Sequence, residues 1–237
     1  MDKWIFEPEK VASGIDALKV QGRNELIIEL EESSVVKRHQ WKRYASAINF
    51  TAPKDVSDCG RFNPPGGKIA VWYASDAALT GMAESYGRTL QLHGTVQYPE
   101  SLMDVHVICS VDLTRRVRLI DVVKLCELLH IPLDSLESES YTFTQWLMER
   151  LYTEFGDEYD GIAYDSRHKR YKKCFAFWSQ PGSEVPFKDT PNGIVTLSAY
   201  KEYDKAIFPS DMKNREYITG EEMLELILNF EITAEPQ

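Results

Sequence analysis

A small set of side chains in this sequence carries groups suited to demanding chemistry. Arg43 and Arg61 each present a planar guanidinium, which can grip a phosphate through two charge-assisted hydrogen bonds. Tyr44 and Tyr73 offer flat faces for a ring and hydroxyls for hydrogen bonding. Glu84 brings a carboxylate, which beside a sugar stabilises positive charge developing at the anomeric carbon, as in glycoside hydrolysis. Ser166 offers a hydroxyl to a phosphate or ribose; no Gly-x-Ser-x-Gly elbow surrounds it, and it is not read as a nucleophile. Each residue also has a plain structural reading. The arginines suit surface pairs with carboxylates, and Tyr73 continues the apolar face of Ile69 and Val71. Glu84 precedes Arg88 by four residues, the order of a helix-surface ion pair worth a few tenths of a kcal/mol. Ser166 also fits an ordinary loop.

The elements that must position these groups follow from periodicity and turn chemistry. Residues 49–67 read as a loop ending in Asn63-Pro64-Pro65-Gly66-Gly67, where proline bars a ladder and glycine permits close backbone approach. Residues 69–74 are a short apolar, aromatic run and predict a buried strand. Ser75 suits the N-cap of a helix over 76–92, whose apolar stripe is Leu79, Met82, Ala83, Tyr86 and Leu90. A glycine inside a helix costs about 1 kcal/mol against alanine, so Gly81 implies that something packs closely near Glu84. Residues 103–111 predict a strand with Val105, Val107, Cys109 and Val111 inward and His106 outward. Helices are expected over 119–130 and 141–155, and strands over 161–164, 174–178 and 194–200. Thr219-Gly220-Glu221-Glu222 has capping-box spacing and opens a terminal helix running to Phe230. The first 40 residues fit helix or strand equally. No regular βαβ rhythm emerges, which favours a single mixed α+β domain.

Three segments, taken together, resemble the RES domain, a family named for an arginine, a glutamate and a serine. The first is Trp41-Lys42-Arg43-Tyr44-Ala45 followed by Gly60-Arg61-Phe62-Asn63-Pro64-Pro65-Gly66, similar to the family's Arg-Tyr pair and its Arg-Trp-Asn-Pro-Pro turn. The second runs from Ala70-Val71-Trp72-Tyr73-Ala74-Ser75 to Met82-Ala83-Glu84 and resembles the family's strand tyrosine and helical glutamate. The third, Gly161-Ile162-Ala163-Tyr164-Asp165-Ser166, resembles its Gly-x-x-Tyr-Pro-Ser stretch. The resemblance implies an ADP-ribosyltransferase-like central β-sheet flanked by helices, with NAD as a consumed substrate. It assigns catalysis to Glu84, Arg43 and Tyr73, and NAD binding to Arg43, Tyr44, Arg61, Tyr73 and Ser166. It also implies growth arrest as the outcome and a cognate antitoxin or immunity protein covering the site. Residues 41–200 would form the catalytic domain, with 1–40 and 201–237 as extensions. Phe62 replaces a tryptophan, a change either ring accommodates. Asp165 replaces a proline, and a carboxylate repels phosphate, so either Asp165 points away from the site or Ser166 is not the family's serine.

Composition narrows the classes further. A hydrophobic share of 43% supports a real core, and a net charge of -10 disfavours general nucleic-acid binding. Against that background Arg167-His168-Lys169-Arg170-Tyr171-Lys172-Lys173 is a basic segment able to focus an anion, receive an acidic partner or simply lie in solvent. Cys59, Cys109, Cys126 and Cys174 form no CxxC pair and read as reduced, buried thiols. The histidines show no paired-ligand spacing, so no metal site is expected, and no P-loop or GxGxxG occurs. No signal peptide or membrane span is apparent, which predicts a cytoplasmic protein or one delivered into a target cell's cytosol. Three functions remain: cleavage of NAD with water or phosphate as acceptor, transfer of ADP-ribose to a macromolecule, or a RES-like binding module without turnover. All three require the guanidinium groups at 43 and 61, the ring at 73 and the acid at 84 to converge on one cavity.

Overall fold

A computed structural model describes residues 7–21, 24–138, 140–168, 172–180, 182 and 184–234, with the side chains of Arg88 and Gln91 outside the described part. In chain order the elements are helix α1 (Pro8–Gln21), strands β1 (Ile27–Leu30), β2 (Val35–Trp41) and β3 (Val71–Ser75), helix α2 (Ala78–His93), and strands β4 (Gln97–Pro99), β5 (His106–Leu113) and β6 (Val117–Asp121). Helices α3 (Val122–Leu128), α4 (Asp134–Glu137) and α5 (Thr142–Phe155) follow, then strands β7 (Gly161–Asp165), β8 (Lys173–Trp178), β9 (Phe187–Thr196), β10 (Lys201–Glu202) and β11 (Ile218–Thr219). Helix α6 (Gly220–Glu222) and strand β12 (Glu231–Thr233) close the chain.

Eight strands form one mixed sheet in the order β1-β6-β7-β8-β3-β2-β5-β9. Of its pairings only β6 with β7 is parallel, and the helices α3, α4 and α5 make that crossover. One apolar cluster packs α1, α3 and α5 against one face, through Val11, Ile15, Leu125, Leu147, Leu151, Ile120 and Ile162. A second packs α2 and the C-terminal segment through Met82, Tyr98, Ile108, Met223 and Phe230. The third unites side chains from both halves of the sheet, including Trp72, Val107, Leu119 and Phe177. Trp72 of β3 lies 4.7 Å, ring to ring, from Phe187 of β9. Three strand spacings would separate those strands by about 14 Å in a flat sheet, so the sheet curls around this third cluster. The expected mixed α+β domain is what forms.

Local differences from expectation have definite causes. Ser75 does not cap α2: its hydroxyl donates to the Lys37 and Ala77 carbonyls, and Ala77 occupies the cap without a side-chain hydrogen bond. His106 is buried, because the C-terminal segment covers the face of β5 that sequence alternation leaves to solvent; its Nδ1 lies 2.7 Å from the Tyr98 hydroxyl and 3.0 Å from that of Tyr86. The helix expected over 119–130 begins as β6, paired on both sides, and Asp121 then caps α3 by accepting from the Val123 and Lys124 amides. The strand expected over 194–200 starts earlier, at Phe187, and ends at Thr196. The Thr219–Glu222 capping box forms, but the helix passes into a π-turn over Met223–Ile227 and stops near Asn229, which adopts a left-handed φ of 59°. β12 then pairs parallel with β4.

Candidate functional site

β2 and β3 pair only through Lys37↔Ser75, whereas the neighbouring pairs run over five or more positions. The strands splay beyond that point, and helix α2 closes over the opening. Gly81 permits the approach: a Cβ there would lie 3.1 Å from the Ser75 hydroxyl and 3.4 Å from the His39 backbone nitrogen. This is the close packing near Glu84 that an interior helical glycine implies. A cavity of about 580 Å³ results, within the usual range for small-molecule sites.

Arg61 and Glu84 line this cavity, and Ser166, from a third distant segment, is buried against Glu84. Arg61 Nη2 lies 3.5 Å from Glu84 Oε2, and the Ser166 hydroxyl donates to Glu84 Oε1 at 2.7 Å. The His168 backbone N–H in turn donates to Ser166 Oγ at 3.2 Å. The loop carrying Arg61 is tied down at several points. Thr144 Oγ1 donates to the Arg61 carbonyl at 2.6 Å, Gln145 Nε2 to the Gly60 carbonyl at 3.1 Å, and the Phe62 amide to the Tyr73 hydroxyl at 2.9 Å. Gly60 has no room for a side chain, since a Cβ would meet Asn63 Oδ1 at 2.9 Å and the Tyr73 hydroxyl at 3.1 Å. The Arg61 guanidinium is buried and rests 5.3 Å from the centre of the Tyr164 ring. Burial pushes the Tyr73 and Tyr164 phenols well above the ordinary tyrosine value, so both remain neutral hydrogen-bonding groups.

The same cavity is lined by Lys37, Arg38 and Arg167, and by the carboxylate of Glu137 beside that of Glu84. Arg38 Nη1 donates to the Tyr73 carbonyl at 2.9 Å, while its Nε is buried without a protein partner. Arg167 donates to the Glu137 carbonyl at 2.7 Å, and its buried Nε has no hydrogen-bond partner among the described residues. Burial lowers the pKa of both guanidiniums, yet arginine starts so high that both stay charged. His39 contributes a neutral ring, because burial and the neighbouring His106 and Arg38 push its pKa down to about 3. Four cations against two carboxylates make this cavity locally positive in a chain of net charge -10.

Of the residues singled out in the sequence, Arg61, Tyr73, Glu84 and Ser166 are brought together. Arg43 and Tyr44 do not line the cavity. β2 stays paired with β5 through Trp41↔His106, and the turn after it carries both residues into solvent, where Arg43 Nη2 donates to the Tyr44 hydroxyl at 3.3 Å and its guanidinium lies over the Trp41 and Tyr44 rings. Arg38, five residues earlier on the paired strand, projects the guanidinium that the sequence reading sought at Arg43. Asp165 points away, as phosphate would require, and pairs with Lys173 at 2.8 Å. Of the basic segment 167–173, residues 169–171 lie outside the described residues, as does the side chain of Arg88. Tyr164 stood in the third resembling segment without being singled out, whereas Arg38 and Tyr141 carried no signal by spacing, because their placement depends on where the sheet opens.

Fold and site together define a curled α+β domain with a positive cleft built around a carboxylate. The chain belongs to the RES family: the RES domain model matches residues 34–197, well over half of it. A search of curated proteins found no match. Among solved structures, a chain of the M. tuberculosis MbcT–MbcA toxin–antitoxin complex shares the fold with a TM-score of 0.54 at 16% identity, over 80% of this chain and 92% of that one.

Proposed function

We propose that this protein is a toxin-type enzyme that consumes NAD by breaking the bond between nicotinamide and ribose. One observation carries the reading: a carboxylate that accepts from Ser166 at one oxygen and lies in ion-pair contact with the buried Arg61 at the other, at the wall of a cavity also lined by Arg38 and Arg167. NAD matches those features group by group. Its pyrophosphate suits the guanidinium groups of Arg38 and Arg167, and its rings suit the faces of Tyr73 and Tyr141.

In the reaction the carbon–nitrogen bond breaks with its electron pair passing to the nicotinamide ring, which leaves neutral. Positive charge grows at the ribose carbon. Glu84 stabilises that charge, and Arg61 and Ser166 hold the carboxylate where the charge appears, so little reorganisation is needed at the transition state. Water or phosphate then takes the ADP-ribosyl group. Membership of the RES family and a fold shared with a chain of a toxin–antitoxin complex support growth arrest as the outcome and a cognate antitoxin or immunity protein as the partner that covers the cleft.

Purified protein mixed with NAD is expected to release nicotinamide. Glu84→Gln, which keeps the side-chain size, should slow that release by about 100-fold or more with NAD binding retained by calorimetry. An unchanged rate removes Glu84 from the mechanism. Saturable NAD binding without product points instead to a binding module, and label from NAD appearing on a lysate macromolecule points to a transferase.

A further inference from the structure

The chemistry at Glu84 gives no role to the imidazole of His168, which also lines the cavity. Its backbone is locked to the acid through Ser166, whose hydroxyl accepts from the His168 N–H and donates to Glu84. Its ring lies on α2 at Gly87, three residues after Glu84 and on the same helix face. A Cβ at Gly87 would fall 2.0 Å from His168 Nε2, so the imidazole occupies the space that any other residue would fill. Glycine within a helix is destabilising relative to alanine, and here it makes the seat for a ring beside the reacting centre. Neither ring nitrogen has a protein hydrogen-bond partner among the described residues.

We propose that His168 is the general base that takes a proton from the water attacking the ribose carbon. This rests on the NAD-cleaving reading and names the group that activates its acceptor. Two other candidates are already committed: Glu84 has one oxygen in ion-pair contact with Arg61 and the other accepting from Ser166, and His39 has its Nδ1 on Ser85 and its Nε2 buried. The step balances. The water oxygen bonds the ribose carbon, the nicotinamide bond breaks with its electron pair leaving on the ring nitrogen, and the water proton passes to the imidazole and then to solvent. Water and NAD become nicotinamide, ADP-ribose and a proton.

The groups facing His168 are Glu84 from α2, Arg61 from its loop, Glu137 from α4 and its own neighbour Arg167. Burial lowers its pKa most; Glu84 and Glu137 oppose that, and the two arginines add to it. The net shift is downward, so the ring is neutral at pH 7 and becomes protonated only as pH falls below its ordinary value of about 6.5. Hydrolysis should therefore decline on the acid side.

The test compares nicotinamide release by wild type, His168→Ala, His168→Gln and Glu84→Gln from about pH 5 to about pH 9, with and without sodium azide. Azide is already an anion and needs no base. Both His168 variants should lose about 100-fold in water and lose the acid-side decline. Azide should restore nicotinamide release by His168→Ala, yielding a glycosyl azide, and should not restore Glu84→Gln. His168→Gln serves if the alanine variant fails to fold. Wild-type rates in either His168 variant, or a defect that azide leaves in place, overturn the role of His168 while Glu84 chemistry stands. A wild-type protein that releases no nicotinamide overturns the NAD-cleaving reading and this role with it.

Discussion

At the scale of single residues, the site depends on side chains whose backbone bonds matter as much as their functional groups. Tyr73 illustrates this. Its ring lines the cavity, but its hydroxyl accepts from the Phe62 amide and so holds the loop that delivers Arg61 to Glu84. Tyr73→Phe keeps the ring and strands a buried N–H, which costs about 1–3 kcal/mol. Thermal unfolding should register that loss as a drop of several degrees, at roughly 2–4 °C per kcal/mol for a chain of this size. KM for NAD should rise as the Arg61 loop loosens. An unchanged melting temperature would show that this hydroxyl does not anchor the loop. Asp165 shows the converse, a charge that sequence context makes suspicious and that structure turns outward onto Lys173.

At the scale of elements, α2 is the organising piece. It carries Glu84, packs Met82 into the second core cluster, and uses two glycines for close approach, Gly81 to β2 and Gly87 to His168. Gly87→Ala therefore sets helix propensity against site geometry. Alanine should gain up to about 1 kcal/mol of helix stability. The obstacle is the far end of one side chain, so the imidazole can swing away at small cost to folding. Melting temperature should hold or rise while nicotinamide release falls toward the level of His168→Ala. A variant that keeps full activity would mean that the ring's seat on α2 is irrelevant to turnover. The periodicity of α2 was legible in the sequence, as were the proline–glycine loop before β3 and the capping box at Thr219. The strand half of 119–130 was not, because a short apolar run fits both periods and only pairing with β1 and β7 decides between them.

At the scale of the molecule, segments outside the resemblance become part of the core. Val11, Ile15 and Leu18 of α1 are buried in the cluster built around α3 and α5, and the residues after Tyr200 bury the face of β5 that holds His106. Fully burying each such aliphatic side chain contributes about 1.5–3 kcal/mol. Three of them are comparable to a typical total stability of about 5–15 kcal/mol. Removing the chain through Gln21 should thus lower the melting temperature sharply and expose dye-binding apolar surface at room temperature. A truncated protein that melts like the full chain would show that α1 is dispensable to the fold. No helix among the described residues is long and apolar enough to cross a membrane.

The linear order of residues was enough to establish the mixed α+β class and the RES resemblance and to single out Arg61, Tyr73, Glu84 and Ser166, which the structure brings close together, because those depend on local periodicity, turn chemistry and motif order. Only the tertiary structure decided which arginine of the stretch from 38 to 43 reaches the cavity. That choice turns on where β2 stops pairing and how far it splays from β3, which is set by contacts with strands distant in sequence. The seat of His168 on Gly87 was hidden for the same reason: the two residues are joined by packing across the cleft, and no pattern along the chain records it.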